Sequence, residues 1–305
     1  MRRIAALATV AVALLFGALL LPDLGLMSAV VGALEDRSQT SKAPPPPPDP
    51  AKAVAPFRVA IGAMISPERT FGFYGDLSRA LARRLHQPLE LKQRRTYEEV
   101  NGLVKRGEVD LAWICTGGWP LLAREKAARL LAVPVVAGKT TYNALILAGP
   151  SRPQVGDLLA LSGARFVFTD PISLTGCLYP KRRILDSGGR PDTFFGSTSF
   201  TYGHDRSIEA IHRGLADGAS VDSLVFDYLA RRFPEEVEGV RVLERSPAFP
   251  IPPLVVPAGT TEARLVEIRT ALLDLAGSER GKKILDALLI DGFALPDEQA
   301  YAGLR

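Results

Sequence analysis

Cysteine and histidine are scarce in this chain. Two cysteines, Cys115 and Cys177, and three histidines, His86, His204 and His212, are spread over 305 residues. None of them stands at metal-ligand spacing, so a zinc site has no support. Charge of one sign is lacking too. The 37 Lys and Arg residues against 33 Asp and Glu leave a net +4. No basic run is interleaved with aromatics, which argues against nucleic acid as a partner. No G-x-S-x-G elbow surrounds any serine, so a hydrolase built on Ser173, His204 and Asp222 rests only on a loose chain order. Nothing calls for a cofactor.

What is present begins with a positive "MRR" and an uncharged run of 18 residues, 4–21. That run is long for a secretory signal and just long enough for a membrane span. Val31 and Ala33 suit a cleavage site, so residues 1–33 are a signal peptide or a membrane anchor, and both fates stay open. The two arginines place the N-terminus in the cytoplasm and the rest outside. No cysteine follows the run as a lipid attachment site. Residues 34–56 are polar and then proline-rich ("APPPPPDP"), a composition that buries no core and makes a semi-rigid spacer. A spacer favours a tethered domain.

From Phe57 the pattern is globular, with 47% hydrophobic residues overall. Apolar strands at 57–65, 89–95 and 108–119 alternate with helices at 74–87 and 96–107. The second helix carries a capping box, Thr96 with Glu99. The pattern restarts with strands at 141–149, 164–170 and 192–198. Helices follow at 177–189 and 205–218, then a strand-to-helix segment at 219–233. Extended segments at 238–246 and 249–258 precede two closing helices, 260–278 and 279–293. Alternating strands and helices predict an α/β fold with parallel pairing. "TYEEVNGLVKRGEVDLAW" and "HDRSIEAIHRGLADGASVDSL" share one plan, which predicts two similar lobes facing across a cleft.

One stretch, "SLTGCLYP" (173–180), opens a helix after an apolar strand. Ser173, Thr175 and Gly176 there suit an anion, because a helix start leaves N–H groups unpaired and carries positive dipole. They equally suit an ordinary capped helix.

In order and spacing, "VAIGAMISPERTF", "TYEEVNGLVKRGEVDLAWICTG", "TDPISLTGCLYP", "YGHDRSIEAIHRGLADGASVDSL" and "SPAFPIPPLVV" resemble the periplasmic phosphate/phosphite/phosphonate-binding proteins of ABC importers. The resemblance covers most of residues 57–295. It implies a two-lobed type II periplasmic binding protein, with lobe one at 57–145 plus 246–305 and lobe two at 146–245. It implies capture of a small oxyanion for an ABC permease, with no chemistry, in the periplasm or tethered to the inner membrane. A membrane-anchored sensor or accessory domain of the same fold is the alternative. By position the ligand contacts carry over to Ser66, Tyr97, Ser173, Thr175, His204 and Asp222. Two positions depart from the pattern: Leu174 stands where a small hydroxyl is expected, and Trp119 where tyrosine is commoner, giving fewer donors and a bulkier wall.

Asp222 is the most informative of these. A carboxylate repels an anion unless it accepts a proton from it, which would select a protonated oxyanion over sulfate. Its bland role is a helix cap. Cys115 and Cys177 flank the cleft on opposite lobes. A disulfide is allowed outside the cytoplasm but would staple a cleft that has to open.

Overall fold

A computed structural model describes residues 54–304 apart from 63, 65 and 66, and leaves the side chains of 67–71 and 73 aside. The signal or anchor at 1–33, most of the spacer and Ser66 lie outside the described residues. Among the described residues no helix is long and apolar enough to cross a membrane.

The first half runs β1 (Phe57–Ile61), α1 (Pro67–Arg84), β2 (Leu89–Gln93), α2 (Tyr97–Lys105), β3 (Leu111–Trp113), α3 (Trp119–Arg124) and β4 (Ala128–Val135). After the two-residue β5 (Thr141–Tyr142) come β6 (Ala144–Ala148), β7 (Arg165–Phe168), α4 (Tyr179–Asp186), α5 (Pro191–Phe194) and β8 (Ser197–Phe200). Next are α6 (His204–His212), β9 (Gly218–Asp222), α7 (Ser223–Arg232), β10 (Arg241–Arg245) and β11 (Phe249–Pro250). The chain closes with β12 (Leu254–Pro257), α8 (Glu262–Leu273), α9 (Glu279–Ala287), β13 (Gly292–Ala294) and α10 (Glu298–Ala302).

Two mixed sheets result. The first has the order β13-β4-β12-β3-β1-β2 and the second β10-β6-β9-β7-β8. Parallel pairing joins β1 to β2 and β3, and β7 to β8 and β9. The returning strands β12 and β10 pair antiparallel. The crossing strands β5 and β11 belong to neither sheet and pair only with each other, Phe249 opposite Tyr142.

Strand alternation explains how each sheet is covered, because successive side chains point to opposite faces. In β1, Val59 and Ile61 pack with Leu77 and Leu81 of α1, with Leu85 just past its end, and with Leu265 and Ile268 of α8. Ala60 faces the other way, against Val100 and Val104 of α2. In the second sheet, Leu145 and Leu147 meet Ile208 and Ile211 of α6, while Ile146 meets Phe166, Phe168 and Ile184.

Several elements differ from the sequence expectation. Helix α1 begins at Pro67 rather than near residue 74, because Pro suits the first turn and outweighs the weak propensity of Gly72 and Gly75. Residues 191–194 form a helical turn where a strand was expected, again opened by proline. Strand β4 occupies a stretch that the sequence leaves unassigned. It carries Pro134, a residue that argues against a strand interior, opposite Phe293 of β13. The expected capping box does form: Glu99 N–H donates to Thr96 Oγ1 at 3.2 Å and Thr96 N–H to the Glu99 carboxylate at 2.9 Å.

Candidate functional site

The carboxyl ends of β1, β3, β7 and β9 bring the two sheets' loops together. Tyr97 N–H, at the start of α2, donates across to Asp170 Oδ2 at 3.1 Å. His204 N–H, at the start of α6, donates to Met64 O at 2.9 Å. At Gly117 an added Cβ would fall 2.2 Å from Ile172 O and 2.8 Å from Leu174 N, so only glycine permits this approach. The cleft is closed in this structure.

Within it, "LTGCL" is a π-helical turn, Leu174–Leu178, capped by Ser173, a form found often at functional sites. Ser173 O accepts from Leu178 N–H at 2.9 Å, and Ser173 Oγ accepts from Gly176 N–H at 3.0 Å. Gly176 therefore spends its N–H inside the turn. Its missing side chain is also structural, since a Cβ would lie 2.5 Å from Thr169 Oγ1. Ser173 keeps its hydroxyl hydrogen for another partner. Thr175 is buried, and its carbonyl accepts from Ser220 Oγ.

Tyr97 is 2% exposed, and its hydroxyl is a fully buried polar atom without a hydrogen-bond partner among the described residues. An unpaired buried hydroxyl costs about 1–3 kcal/mol. Burial pushes its pKa well up, and the neighbouring Cys115, Asp170, Asp222 and Tyr142 add to the shift. Tyr142, on the crossing strand β5, is raised by burial, with the hydroxyls of Thr116 and Thr175, one from each side of the cleft, acting in the opposite direction.

Asp222 ends β9 and caps α7. Oδ1 accepts from Leu224 N–H at 2.6 Å and Val225 N–H at 3.4 Å. Oδ2 has no partner among the described residues. Burial outweighs those two bonds and pushes the carboxyl up to about 7. Asp222 N–H donates to His204 Nδ1 at 3.1 Å, and Thr169 Oγ1 lies 3.0 Å from the same nitrogen. A peptide N–H can only donate, so the imidazole hydrogen sits on Nε2. Burial pulls the pKa of His204 down to about 3, leaving it a neutral donor at pH 7.

Tyr97, Ser173, Thr175, His204 and Asp222 thus come together. Trp119 does not join them: its ring packs edge-on to Tyr301 at 6.3 Å, in the core beneath the first sheet. The tryptophan of the cleft is Trp113, which donates from Nε1 to Pro252 O at 3.1 Å and meets Tyr74 edge-on at 4.9 Å. Trp113, Tyr74, Thr116 and Tyr142 were missed in the sequence, where each resembles an ordinary core or turn residue. Both cysteines are free and buried, with thiols pushed up to about 11 by that burial. Among the described residues no group of acidic, His and Cys side chains could hold a metal.

Two α/β lobes joined by a pair of crossing strands, with donors converging at the strand ends, define a type II periplasmic binding protein. Residues 59–301 match the family described as ABC transporter, phosphonate, periplasmic substrate-binding protein, and the chain belongs to that family. Among solved structures, a binding protein component of an ABC phosphonate transporter from Pseudomonas aeruginosa is similar. It has a TM-score of 0.74 at 20% identity, over 80% of this chain and 82% of that one. PhnD1 from Prochlorococcus marinus, in complex with methylphosphonate, has a TM-score of 0.72 at 16% identity, over 80% and 94%. A Xanthomonas citri protein bound to ATP has a TM-score of 0.65 at 17% identity, over 81% and 94%. No curated protein matches the chain in sequence.

Proposed function

We propose that the chain captures a small oxyanion of the phosphonate type between its lobes and hands it to an ABC permease outside the cytoplasm. Residues 1–33 would carry it across the inner membrane as signal or anchor, with 34–56 as spacer. The observation that carries this reading is the Tyr97 hydroxyl, buried near the Asp222 carboxyl without a hydrogen-bond partner among the described residues. A buried unpaired polar group in a cleft calls for a partner, and a bound anion supplies one. Tyr97, Ser173, Thr175 and His204 Nε2 donate to the oxyanion. Asp222 Oδ2 takes the proton that a monoprotonated ligand still carries.

The pairing of β5 with β11 outside both sheets supports a hinge there, with lobe two running from about residue 144 to 245. Calorimetry with methylphosphonate, phosphate and sulfate tests the reading. Methylphosphonate or phosphate should bind, sulfate should not, and Tyr97→Phe should weaken binding about ten- to a hundredfold. Equal binding of sulfate and the protonated anions would overturn it.

A further inference from the structure

Next to the anion-holding groups lies a chamber of about 230 Å³ that a bare oxyanion would not fill. Asp222 lines it, and its walls come from both lobes: Tyr74 of α1 and Trp113 of β3 from one, Leu224 and Tyr228 of α7 from the other. Ile251, beside the crossing strands, lines it as well. Tyr74 lies close enough to Asp222 and Tyr228 for both to raise its hydroxyl pKa, so the wall continues directly from the carboxyl. Closing the lobes therefore assembles an aromatic box adjoining the head-group site. An apolar cavity of about 150 Å³ is already enough for benzene. Lys139, Asp227, Arg231 and Arg245 also line it and carry charge of both signs, so no single charge is imposed on what enters.

We propose that the physiological ligand is an organophosphonate whose carbon substituent is an apolar group of four to six carbons or ring size, seated in this chamber. The proposal rests on the reading above for its head group and adds the tail. Methylphosphonate presents a single methyl to these walls and leaves most of the chamber unused. Each further methylene buried against them should raise affinity about fourfold.

The test is a calorimetric series on the full chain with methyl-, ethyl-, butyl-, phenyl- and 2-aminoethylphosphonate, repeated on Leu224→Trp. Affinity should climb from methyl to butyl, and phenylphosphonate should bind at least tenfold tighter than methylphosphonate. Leu224→Trp, which fills the chamber from the helix surface, should remove that gain. A flat series with tight methylphosphonate overturns the tail assignment and leaves the head-group reading standing. Aminoethyl binding tighter than butyl or phenyl also overturns it, since the walls would then be selecting a cation. If no member of the series binds, the head-group reading falls and this inference falls with it. Should Leu224→Trp fail to fold, the wild-type series decides alone.

Discussion

The two oxygens of Asp222 differ in their surroundings, and the proposed anion chemistry rests on that difference. Oδ1 holds the first turn of α7, the bland role foreseen from the sequence, while Oδ2 has no partner among the described residues and is the atom proposed to take the ligand proton. Both roles coexist because a capping residue needs only one acceptor. Asp222→Asn should weaken a protonated oxyanion and relax the discrimination against sulfate, since the amide donates where the carboxylate could not. Titrations with both anions from pH 6 to 9 would register this, and an unchanged preference would leave Asp222 as a cap alone.

Stability carries a second signature. The Asp222 carboxyl rises from 3.8 to about 7 on folding, so its contribution is present below pH 4 and is lost as pH climbs towards 7. His204 falls from 6.5 to about 3, so its contribution is present above pH 6.5 and is lost as pH drops. The two slopes oppose each other between pH 4 and 6.5. Removing one by Asp222→Asn should unmask the other: the variant's thermal midpoint should fall with acidification over that window more steeply than the wild type's. Thr175→Ala should cost about 1.5–3 kcal/mol of anion binding without unfolding the protein, and equal binding would return that turn to a purely structural role. At this scale Thr175, His204 and Asp222 were singled out through the family resemblance, because polar residues at strand ends and helix starts suit a plain cap equally well. Trp113 and Tyr142 were not, because an aromatic alternating into a sheet reads as core until the partner lobe is in place.

Among the elements, the turn at 173–178 illustrates the limit of pattern reading. A helix start was expected there; a π-turn forms, because Ser173 Oγ takes Gly176 N–H and Gly176 packs flat against Thr169. Spacing does not reveal such a turn, since its cause lies in the strand below. The capping box of α2 was legible because all of its parts are local. Thr96→Ala should lower unfolding stability by about 1 kcal/mol, measured by denaturant titration. Gly117 is a closure residue that the sequence did not single out. Gly117→Ala would set a methyl against the Ile172 carbonyl, so the lobes should close poorly and anion affinity should fall. The thermal midpoint without ligand should barely move if the open form tolerates the methyl, which combined calorimetry and melting would establish.

On the scale of the whole molecule, two similar sheets linked by paired crossing strands bring Tyr97, Ser173, Thr175, His204 and Asp222 to one seam, while Trp119 packs elsewhere. The repeat of strand-helix-strand units made the two lobes legible early, because hydrophobic periodicity survives without tertiary contacts. The depth of the seam and the chamber beside it were not legible, since they exist only once residues some 100 positions apart meet. The account's central claim is that an oxyanion sits at that seam between Tyr97 and Asp222. Crystals grown with methylphosphonate at pH 7 test it most directly. The account places the phosphonate oxygens within hydrogen-bonding distance of Tyr97 Oη, Thr175 Oγ1, His204 Nε2 and Asp222 Oδ2, with the methyl turned towards Trp113. Density for the ligand elsewhere, or a seam that stays empty at saturating ligand with Tyr97 Oη still unpaired, would contradict it.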